Sequence, residues 1–278
     1  MHYIGVDVGG TQLRVALIDP QKGILDFESF PVPKNYDEGV EIILNTSKKF
    51  LNKSGQKIEA VGIALPGLVG EEVLISASNL PEWAEKPLVK DLQFVLKVPI
   101  KLVHDVAAAA LGEATFNSKQ NVFPFIYMIW GTGVGGCYIE KLVDTFHLHS
   151  FEVGHHILVK NGRPCKCGNT GCAEQYLGGK SLLERYGDLS QKSDEDPLWN
   201  EVAEYAAQTM LNMCAFYQAE QVIFGGGVIT KRPFLLEMIR VKLTTLPKFL
   251  RLPPMSISTL NDRAGVLGAA ANCWVSKI

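Results

Sequence analysis

The sequence lacks several features that mark specialised classes of protein. Its 278 residues include no low-complexity tract and no Pro/Ser-rich linker. The N-terminus, MHYIGVDVGG, has neither the basic flank nor the apolar stretch of a signal peptide. The most apolar internal run, residues 123–130, is far too short to cross a bilayer as a helix. We therefore expect a cytoplasmic protein that has no membrane partner.

An excess of charge of one sign is also absent. Lys and Arg number 27 and Asp and Glu number 29, which leaves a formal net charge of −2. A nucleic-acid surface needs a clear excess of positive charge, so we expect no nucleic-acid partner. Apolar residues make up 47% of the chain and charged residues 20%, which is typical of a globular protein with a sizeable core.

Cysteine is scarce, and half of it lies in one segment. Three of the six cysteines are Cys165, Cys167 and Cys172, whereas a disulfide scaffold would spread an even number along a much shorter chain. Together with His155 they offer three thiolates and one imidazole, the donors of a closed, structural zinc site. His156 is an alternative ligand to His155, and three incidental cysteines beside a surface histidine are the alternative to a metal.

Glycine turns and β-rich runs divide the chain into two similar halves. In the first half the pattern predicts strands at 3–8, 12–18, 24–30, 58–65 and 100–104, with helices over 37–51 and 105–114. In the second half it predicts strands at 123–130, 136–140 and 221–224, with helices over 181–186, 197–218, 234–245 and 263–276. Strands alternating with helices indicate α/β lobes, and the repeated order indicates an internal duplication.

The predicted lobes have the following bounds. The first covers 1–117 and is completed by the C-terminal helix within 263–278. The second covers 118–262 and includes an inserted zinc loop at 152–174. No linker separates them, so the boundary near 114–121 is at most a hinge.

Two glycine-rich turns, one near the start of each lobe, are candidate phosphate-binding segments. Glycines let backbone N–H groups approach an anion, and a nearby Asp can hold a metal-bound water. A single Gly-Gly turn is better explained as a plain hairpin turn, and neither turn is a P-loop or a Rossmann fingerprint. Two such turns favour a clamp on a polyphosphate. The candidate residues are Asp7, Gly9, Gly10 and Thr11 in the first turn and Gly131, Thr132, Gly133 and Gly135 in the second.

These motifs, in order along the chain, resemble the ROK family. The matching runs are DVGGTQLR (7–14), GIALPGLV (62–69), ASNLPEW (77–83), DVAAAALGE (105–113), GTGVGG (131–136), GGGV (225–228) and GVLGAA (265–270). The stretch EVGHHILVKNGRPCKCGNTGCAE (152–174) is similar to the family signature, with its ExGH and CxCGxxGCxE elements. The resemblance implies a two-lobed, duplicated sugar-kinase/actin-like (ribonuclease H-like) α/β fold. It also implies an active site in the cleft between the lobes, and a homodimer.

The resemblance further implies roles for individual residues. Asp105 is the expected general base, taking the proton of a sugar primary hydroxyl that attacks the γ-phosphorus of Mg-ATP; on spacing alone it reads better as a helix N-cap. The expected sugar contacts are Glu152, His155 and Glu174, with His155 also on zinc. Asn79 is a weaker sugar candidate, since a turn-stabilising Asn explains it equally well.

Gly226 and Gly227 are expected to lie against the adenosine of ATP, where glycines permit close backbone approach.

The sequence departs from the family pattern next to the expected base. His104 stands where the family has an Asn that binds a sugar hydroxyl, and Arg14 stands where Lys is commoner. His104 is therefore a candidate sugar contact; a strand-end imidazole satisfied by the backbone is its structural alternative.

We predict an ATP-dependent hexose kinase acting on the 6-hydroxyl, similar to glucokinase. The alternatives are a kinase for N-acetylmannosamine or N-acetylglucosamine, a non-catalytic sugar sensor, and a phosphoryl donor other than ATP. A sugar-responsive repressor would need a helix-turn-helix domain ahead of Asp7, and we expect none.

Overall fold

The computed structural model describes residues 1–117, 122–143, 145–245 and 251–277. The hinge predicted at 114–121 falls largely outside these ranges. The chain forms two compact units. The first comprises Met1–Asn121, Leu142–His147 and Arg263–Ile278, and the second comprises Val122–Lys141 and Leu148–Asp262. Among the described residues, no helix combines the length and apolar character that a membrane span requires.

The N-terminal stretch of the first unit alternates strands and helices. Its elements are β1 (His2–Val8), β2 (Gln12–Asp19), β3 (Gly23–Pro31), α1 (Tyr36–Ser54), β4 (Ile58–Leu65), β5 (Leu68–Val69), β6 (Leu74–Ser76), α2 (Leu88–Leu96), β7 (Ile100–His104) and α3 (Asp105–Phe116).

The middle of the chain repeats this alternation and contains most of the second unit. Its elements are β8 (Phe125–Trp130), β9 (Val134–Lys141), β10 (Thr145–Phe151), α4 (Glu174–Leu177), α5 (Gly179–Tyr186), α6 (Leu198–Phe216), β11 (Gln221–Gly225), α7 (Gly227–Lys231), α8 (Phe234–Thr244) and β12 (Met255–Ile257). The C-terminal segment adds α9 (Ala264–Ala271) and β13 (Ser276–Lys277).

The first unit is built on a mixed sheet with the strand order β3-β2-β1-β4-β7. The first three strands form an antiparallel meander, whereas β4 and β7 run parallel to β1. The two central strands, β1 and β4, are almost wholly buried, because helices cover both faces of such a sheet. Their apolar side chains form one core with Phe50 of α1 and Trp83.

The second unit repeats this topology. Its sheet has the strand order β12-β11-β8-β9-β10-β13, in which the short C-terminal strand β13 is an added edge strand parallel to β10; β8 and β9 form an antiparallel hairpin, and β11 and β12 run parallel to β8. Taken from the other edge, β10-β9-β8-β11-β12 matches β3-β2-β1-β4-β7. The predicted duplicated α/β fold class is therefore confirmed.

Helix α3 and helix α9 pack unusually closely within the first unit. A Cβ built on Gly268 would overlap the carbonyl oxygen of Ala108, and one built on Gly112 would overlap the carbonyl oxygen of Ala264. The absence of side chains at these positions lets the two helix backbones touch. Helix α9 also packs on β1, β2 and β4, so the C-terminal segment is part of the core of the first unit.

Several elements differ from the sequence expectation. The last helix ends at Ala271 instead of continuing to 276, because Trp274 turns back to pack on Tyr3, with ring centroids 4.5 Å apart. Strands β10 and β12 and helix α2 were not predicted. The three residues of β12 carry too little pattern to mark a strand, and they are held by pairing with β11.

Candidate active site

The first glycine turn closes the β1–β2 hairpin. Val8 pairs with Leu13, and the Gly9 N–H donates to the Gln12 carbonyl at 2.8 Å, so residues 9–11 form a tight turn. The side chain of Asn79 lies beside this turn: its Nδ2 is 3.2 Å from the position of a Cβ on Gly10. Thr11 is exposed. The structure thus places the predicted sugar candidate Asn79 beside the predicted phosphate-binding turn.

Asp7, at the end of β1, is held by two neighbours. Arg14 Nη1 donates to Asp7 Oδ2 at 3.1 Å across the hairpin. On another side lies the first turn of α9, where a Cβ on Gly265 would come within 2.8 Å of the Asp7 carboxyl carbon. These two contacts fix the position of the Asp7 carboxylate. The role of Gly265 was not predicted from the sequence, in which this residue is marked only by its place in the GVLGAA run.

Asp105 is the first residue of α3, directly after β7. Its Oδ1 accepts the N–H of Val106 at 2.7 Å, which fixes the orientation of the half-buried carboxylate. The N-cap position belongs to His104, which makes no capping hydrogen bond with its side chain. The alternative in which Asp105 serves as the helix N-cap is therefore wrong by one residue, because Asp105 is the first residue of the helix itself.

His104 lies against Asp105, with 3.4 Å between His104 Nδ1 and Asp105 Oδ1. This nitrogen is buried, and within the described residues it has no hydrogen-bond partner. The alternative in which the backbone satisfies the imidazole does not apply to Nδ1. Nδ1 thus faces the carboxylate of the predicted base at ion-pair distance without forming a hydrogen bond to it.

The second glycine turn closes the β8–β9 hairpin and is shorter than predicted. Trp130 pairs with Val134, and Gly135 pairs with Ile129 inside the sheet, so the turn comprises residues 131–133. The predicted phosphate contact Gly135 therefore belongs to strand β9. The Gly131 N–H donates to the Gly133 carbonyl at 3.0 Å.

The segment formed by α4 and α5 borders this turn. The N–H groups of Gly179 and Lys180 donate to the carbonyls of Gly131 and Thr132 at 2.8 and 3.0 Å. The Val134 N–H donates to Glu174 Oε2 at 3.2 Å. Gly179 and Lys180 were not predicted from the sequence, in which the glycine pair at 178–179 is the feature that marks this segment.

Gly226, predicted near the adenosine, precedes α7 with a φ of 91°, a left-handed conformation that favours glycine. Gly227 is the first residue of that helix. Both follow directly after β11, which lies beside β8 in the sheet.

The predicted metal ligands converge in the second unit. One donor atom from each of His155, Cys165, Cys167 and Cys172 lies within 4.8 Å of the others. The Sγ atoms of Cys167 and Cys172 are 3.5 Å apart, and Cys165 Sγ is 3.6 Å from His155 Nδ1. A tetrahedral zinc with ordinary bond lengths requires S···S and S···N separations of roughly 3.8 and 3.6 Å. The donor set and its spacing therefore fit zinc.

His156 points away from this cluster. Its Nδ1 hydrogen-bonds the carbonyl of Val153 at 2.5 Å, so His155 is the histidine that accompanies the thiols. Because Nδ1 of His155 faces Cys165, its Nε2 is left on the other side of the ring.

The thiols of the cluster have unequal proton affinities. Burial raises the pKa of Cys172 to about 12, whereas the backbone N–H of Asn169 lowers the pKa of the exposed Cys167. Negative charges on sulfurs this close repel one another, and a divalent cation removes that cost.

The predicted sugar contacts lie around the metal cluster. Glu152 is exposed at the end of β10, and its carbonyl accepts the N–H of His155 at 2.9 Å in a single 3₁₀ turn, Val153–His155. Glu174 begins α4 two residues after Cys172. Glu152 and Glu174 are thus the first and last residues of the metal loop, and His155 lies within it.

Two lysines not identified from the sequence also lie here. Lys166 is in the metal loop and Lys180 is in the first turn of α5, and the close approach of Lys180 lowers the pKa of Lys166. They add positive charge near the second glycine turn.

The duplicated sheet, the two hairpin glycine turns and the helix that begins at Asp105 together define a protein of the sugar-kinase/actin-like fold class. A sequence model of the ROK family matches residues 3–275. The chain belongs to the ROK family, and the resemblance seen in the sequence is confirmed.

Relatives with assigned activities cover nearly the whole chain. An N-acetyl-D-glucosamine kinase of Haemophilus influenzae is 28% identical, over 97% of this chain and 98% of its own length. A glucokinase of Streptomyces coelicolor is 26% identical, over 96% of each chain. The crystal structure of a ROK family glucokinase from Streptomyces griseus, in complex with glucose and AMPPNP, has a TM-score of 0.81 at 25% identity, covering 98% of this chain and 99% of the other.

Proposed function

We propose that this ROK-family sugar kinase transfers the γ-phosphoryl group of Mg-ATP to the 6-hydroxyl of a hexose, as a glucokinase does. The family and the kinase relatives bear out the predicted enzyme class. The observation that carries the proposal is the position of Asp105: a half-buried carboxylate at the start of a helix, oriented by the Val106 N–H.

In this reaction Asp105 accepts the proton of the sugar hydroxyl. The hydroxyl oxygen forms a bond to the γ-phosphorus while the bond from that phosphorus to the β,γ-bridging oxygen breaks, and ADP leaves with the electron pair. A general base contributes about 10²- to 10⁴-fold to such a step. Most of the remaining catalysis is positioning and neutralisation of charge.

The glycine turns are proposed to bind the phosphates of ATP through backbone N–H groups. In the first unit the turn comprises Gly9, Gly10 and Thr11, and Asp7, fixed by Arg14, is suited to hold a water bound to the Mg²⁺ that accompanies ATP. In the second unit the turn is residues 131–133. Gly226 and Gly227 are proposed to contact the adenosine.

The proposed sugar contacts are Glu152, His155 and Glu174, with Asn79 and His104 as further candidates. Carboxylate, imidazole and amide groups exchange hydrogen bonds with several ring hydroxyls at once. The second candidate substrate class is an N-acetylhexosamine. It is favoured by the N-acetyl-D-glucosamine kinase relative, and His104, at the position where the family resemblance implies an Asn, is the residue that keeps this class open.

The proposed metal is one structural zinc, held by His155, Cys165, Cys167 and Cys172. Four protein ligands leave no position for substrate, so the ion would supply folding energy to the loop. With Nδ1 of His155 used as the ligand, its Nε2–H could donate to the sugar.

We further propose a cytoplasmic location and a homodimer. The cluster of free thiols suits a reducing compartment. The homodimer is proposed from the family resemblance.

The proposed function is tested by measuring ADP release with Mg-ATP and a panel of sugars: glucose, mannose, fructose, allose, N-acetylglucosamine and N-acetylmannosamine. We expect turnover with at least one of them and a product phosphorylated at the 6-position. Asp105→Asn should lower kcat by about 10²- to 10⁴-fold and leave sugar binding measurable, because only the proton acceptor is lost. Glu85→Gln, on an exposed loop of the first unit, is the control.

Turnover retained by Asp105→Asn would remove Asp105 from the role of base. If the folded wild-type protein releases no ADP with any sugar of the panel, the remaining interpretations are a non-catalytic sugar sensor and a phosphoryl donor other than ATP.

A further inference from the structure

The second glycine turn is fastened to the chain segment that follows the metal loop. Two of its carbonyls accept N–H groups from the start of α5, at 2.8 and 3.0 Å. Both contacts involve backbone atoms only, and the approach is close, because a Cβ built on Gly179 would lie 2.7 Å from the carbonyl oxygen of Gly131. The outgoing side of the turn, at Gly133 and Val134, is held by the Gly131 N–H on the Gly133 carbonyl, by the pairing of Val134 with Trp130, and by one side chain from α4.

Glu174 holds that outgoing side. Its Oε2 accepts the Val134 N–H at 3.2 Å, the one hydrogen bond made by this side chain within the described residues. The contact is also tight, because a Cβ built on Gly133 would overlap Oε2. Gly178 allows the same close approach from the other side, where a Cβ would lie 3.0 Å from Glu174 Cγ.

The two oxygens of this carboxylate are in different surroundings. Oε2 faces the turn, whereas Oε1 is 4.0 Å from the same Cβ position on Gly133. The side chain is half-buried, so part of it is accessible to a ligand. One carboxylate can therefore hold the turn with one oxygen and accept a second donor with the other.

We propose that Glu174 is a positioning residue for the second glycine turn and couples the binding of sugar to the binding of nucleotide. Oε2 orients the turn that contacts the ATP phosphates, while Oε1 accepts a sugar hydroxyl. A sugar bound at Oε1 fixes the carboxylate and hence the turn, so each substrate tightens the binding of the other. This inference rests on the proposed function for its two ligands.

A role in sugar binding alone makes a different prediction. In that case Glu174 variants weaken the sugar and leave the turn and the nucleotide unchanged. Coupling is reciprocal, so under the proposal nucleotide must raise the affinity for sugar by the same factor as sugar raises the affinity for nucleotide.

Hydrogen exchange tests the positioning role without any substrate. We expect the Val134 amide, followed by NMR, to exchange roughly fivefold faster or more in Glu174→Ala, because its acceptor is lost. Glu174→Gln keeps a carbonyl acceptor and should restore part of the protection. Glu184→Ala, on the exposed part of α5, is the matched control and should leave the Val134 amide unchanged.

Gly133→Ala tests the coupling from the nucleotide side. The new Cβ displaces the Glu174 carboxylate from the turn, so the gain in sugar affinity that a non-hydrolysable ATP analogue produces in the wild-type protein, measured by calorimetry, should be reduced about fivefold or more, within the usual range of coupling. Glu184→Ala, on the exposed part of α5 and outside the proposed binding residues, is the control here too and should leave the effect of the nucleotide analogue unchanged. The sugar used is the one that gives turnover in the panel.

Unchanged exchange at Val134 in Glu174→Ala would overturn the positioning role. An unchanged effect of the nucleotide analogue on sugar affinity in Gly133→Ala, with the chain folded by circular dichroism, would overturn the coupling. Failure of the proposed function itself shows separately, as absence of turnover in the wild-type panel, and the exchange result then still decides whether Glu174 holds the turn.

Discussion

At the scale of single residues, His104 is of interest because it directly precedes the proposed base Asp105. Its ring lies next to Asp105, and its buried Nδ1 makes no hydrogen bond within the described part of the chain. The contact of this nitrogen with Asp105 is an ion-pair contact at 3.4 Å and not a hydrogen bond, so a ligand that supplies a hydrogen bond to the buried nitrogen gains affinity. We therefore expect His104 to take part in the choice of sugar.

The corresponding prediction concerns sugar preference. His104→Asn replaces the ring with a shorter amide, and we expect the ratio of kcat/KM for glucose to that for N-acetylglucosamine to change by about tenfold or more. The ratio is measured in the ADP-release assay, with the exposed His149→Asn as the control. A ratio equal to that of the wild-type protein would show that His104 does not contact the sugar.

At the scale of elements, the loop at 152–174 has little regular structure of its own. Between the 3₁₀ turn at Val153–His155 and α4, its described contacts are isolated bridges and turns, such as the pairing of Ile157 with Cys172. A loop of this kind gains much of its order from cross-links. The cluster of His155 and three cysteines provides the place for one.

We predict about one zinc per chain by elemental analysis, and its loss in Cys167→Ser. Removal of the metal should lower the melting temperature and speed hydrogen exchange over 152–174, because the loop loses its cross-link. Cys273→Ser, outside the cluster, should retain the zinc. A metal-free protein with unchanged exchange in this loop would contradict the zinc proposal.

At the scale of the whole molecule, the first unit is assembled from both ends of the chain. Helix α9, from the C-terminal segment, packs on β1, β2, β4 and α3, and no shorter N-terminal fragment contains this layer. The backbone contact at Gly268 is the tightest point of that packing. Substitutions there should act on the stability of the entire first unit.

Gly268→Ala is predicted to destabilise the first unit by about 1–3 kcal/mol, the usual cost of overpacking a core. The new Cβ meets the backbone carbonyl of Ala108, which cannot move aside as a flexible side chain would. Thermal unfolding followed by circular dichroism, with exchange of the α3 amides, measures the effect. Gly227→Ala is the control for stability, since no atom lies within 4 Å of its Cβ. A melting temperature of Gly268→Ala equal to that of the wild-type protein would show that α3 and α9 can move apart without loss of stability.

Much of the fold could be predicted from local sequence patterns. The hairpins around 9–11 and 131–133, strands β4 and β7, and the start of α3 follow from apolar runs bounded by glycine or proline, and the structure has them with the same or nearly the same ends. Such patterns depend on a few neighbouring residues, so they predict an element without knowledge of its tertiary contacts. Strand β10, whose residues are half-buried or exposed, carries no comparable signal.

The sequence by itself determined the family and the duplicated α/β order, and it supplied the candidate site residues, because motifs and periodicity are properties of neighbouring residues. Only the tertiary structure decided which of His155 and His156 joins the thiols, that Gly135 lies in a strand, and that Glu174 holds Val134. These facts depend on contacts between segments up to forty positions apart, and packing, not local propensity, selects such contacts.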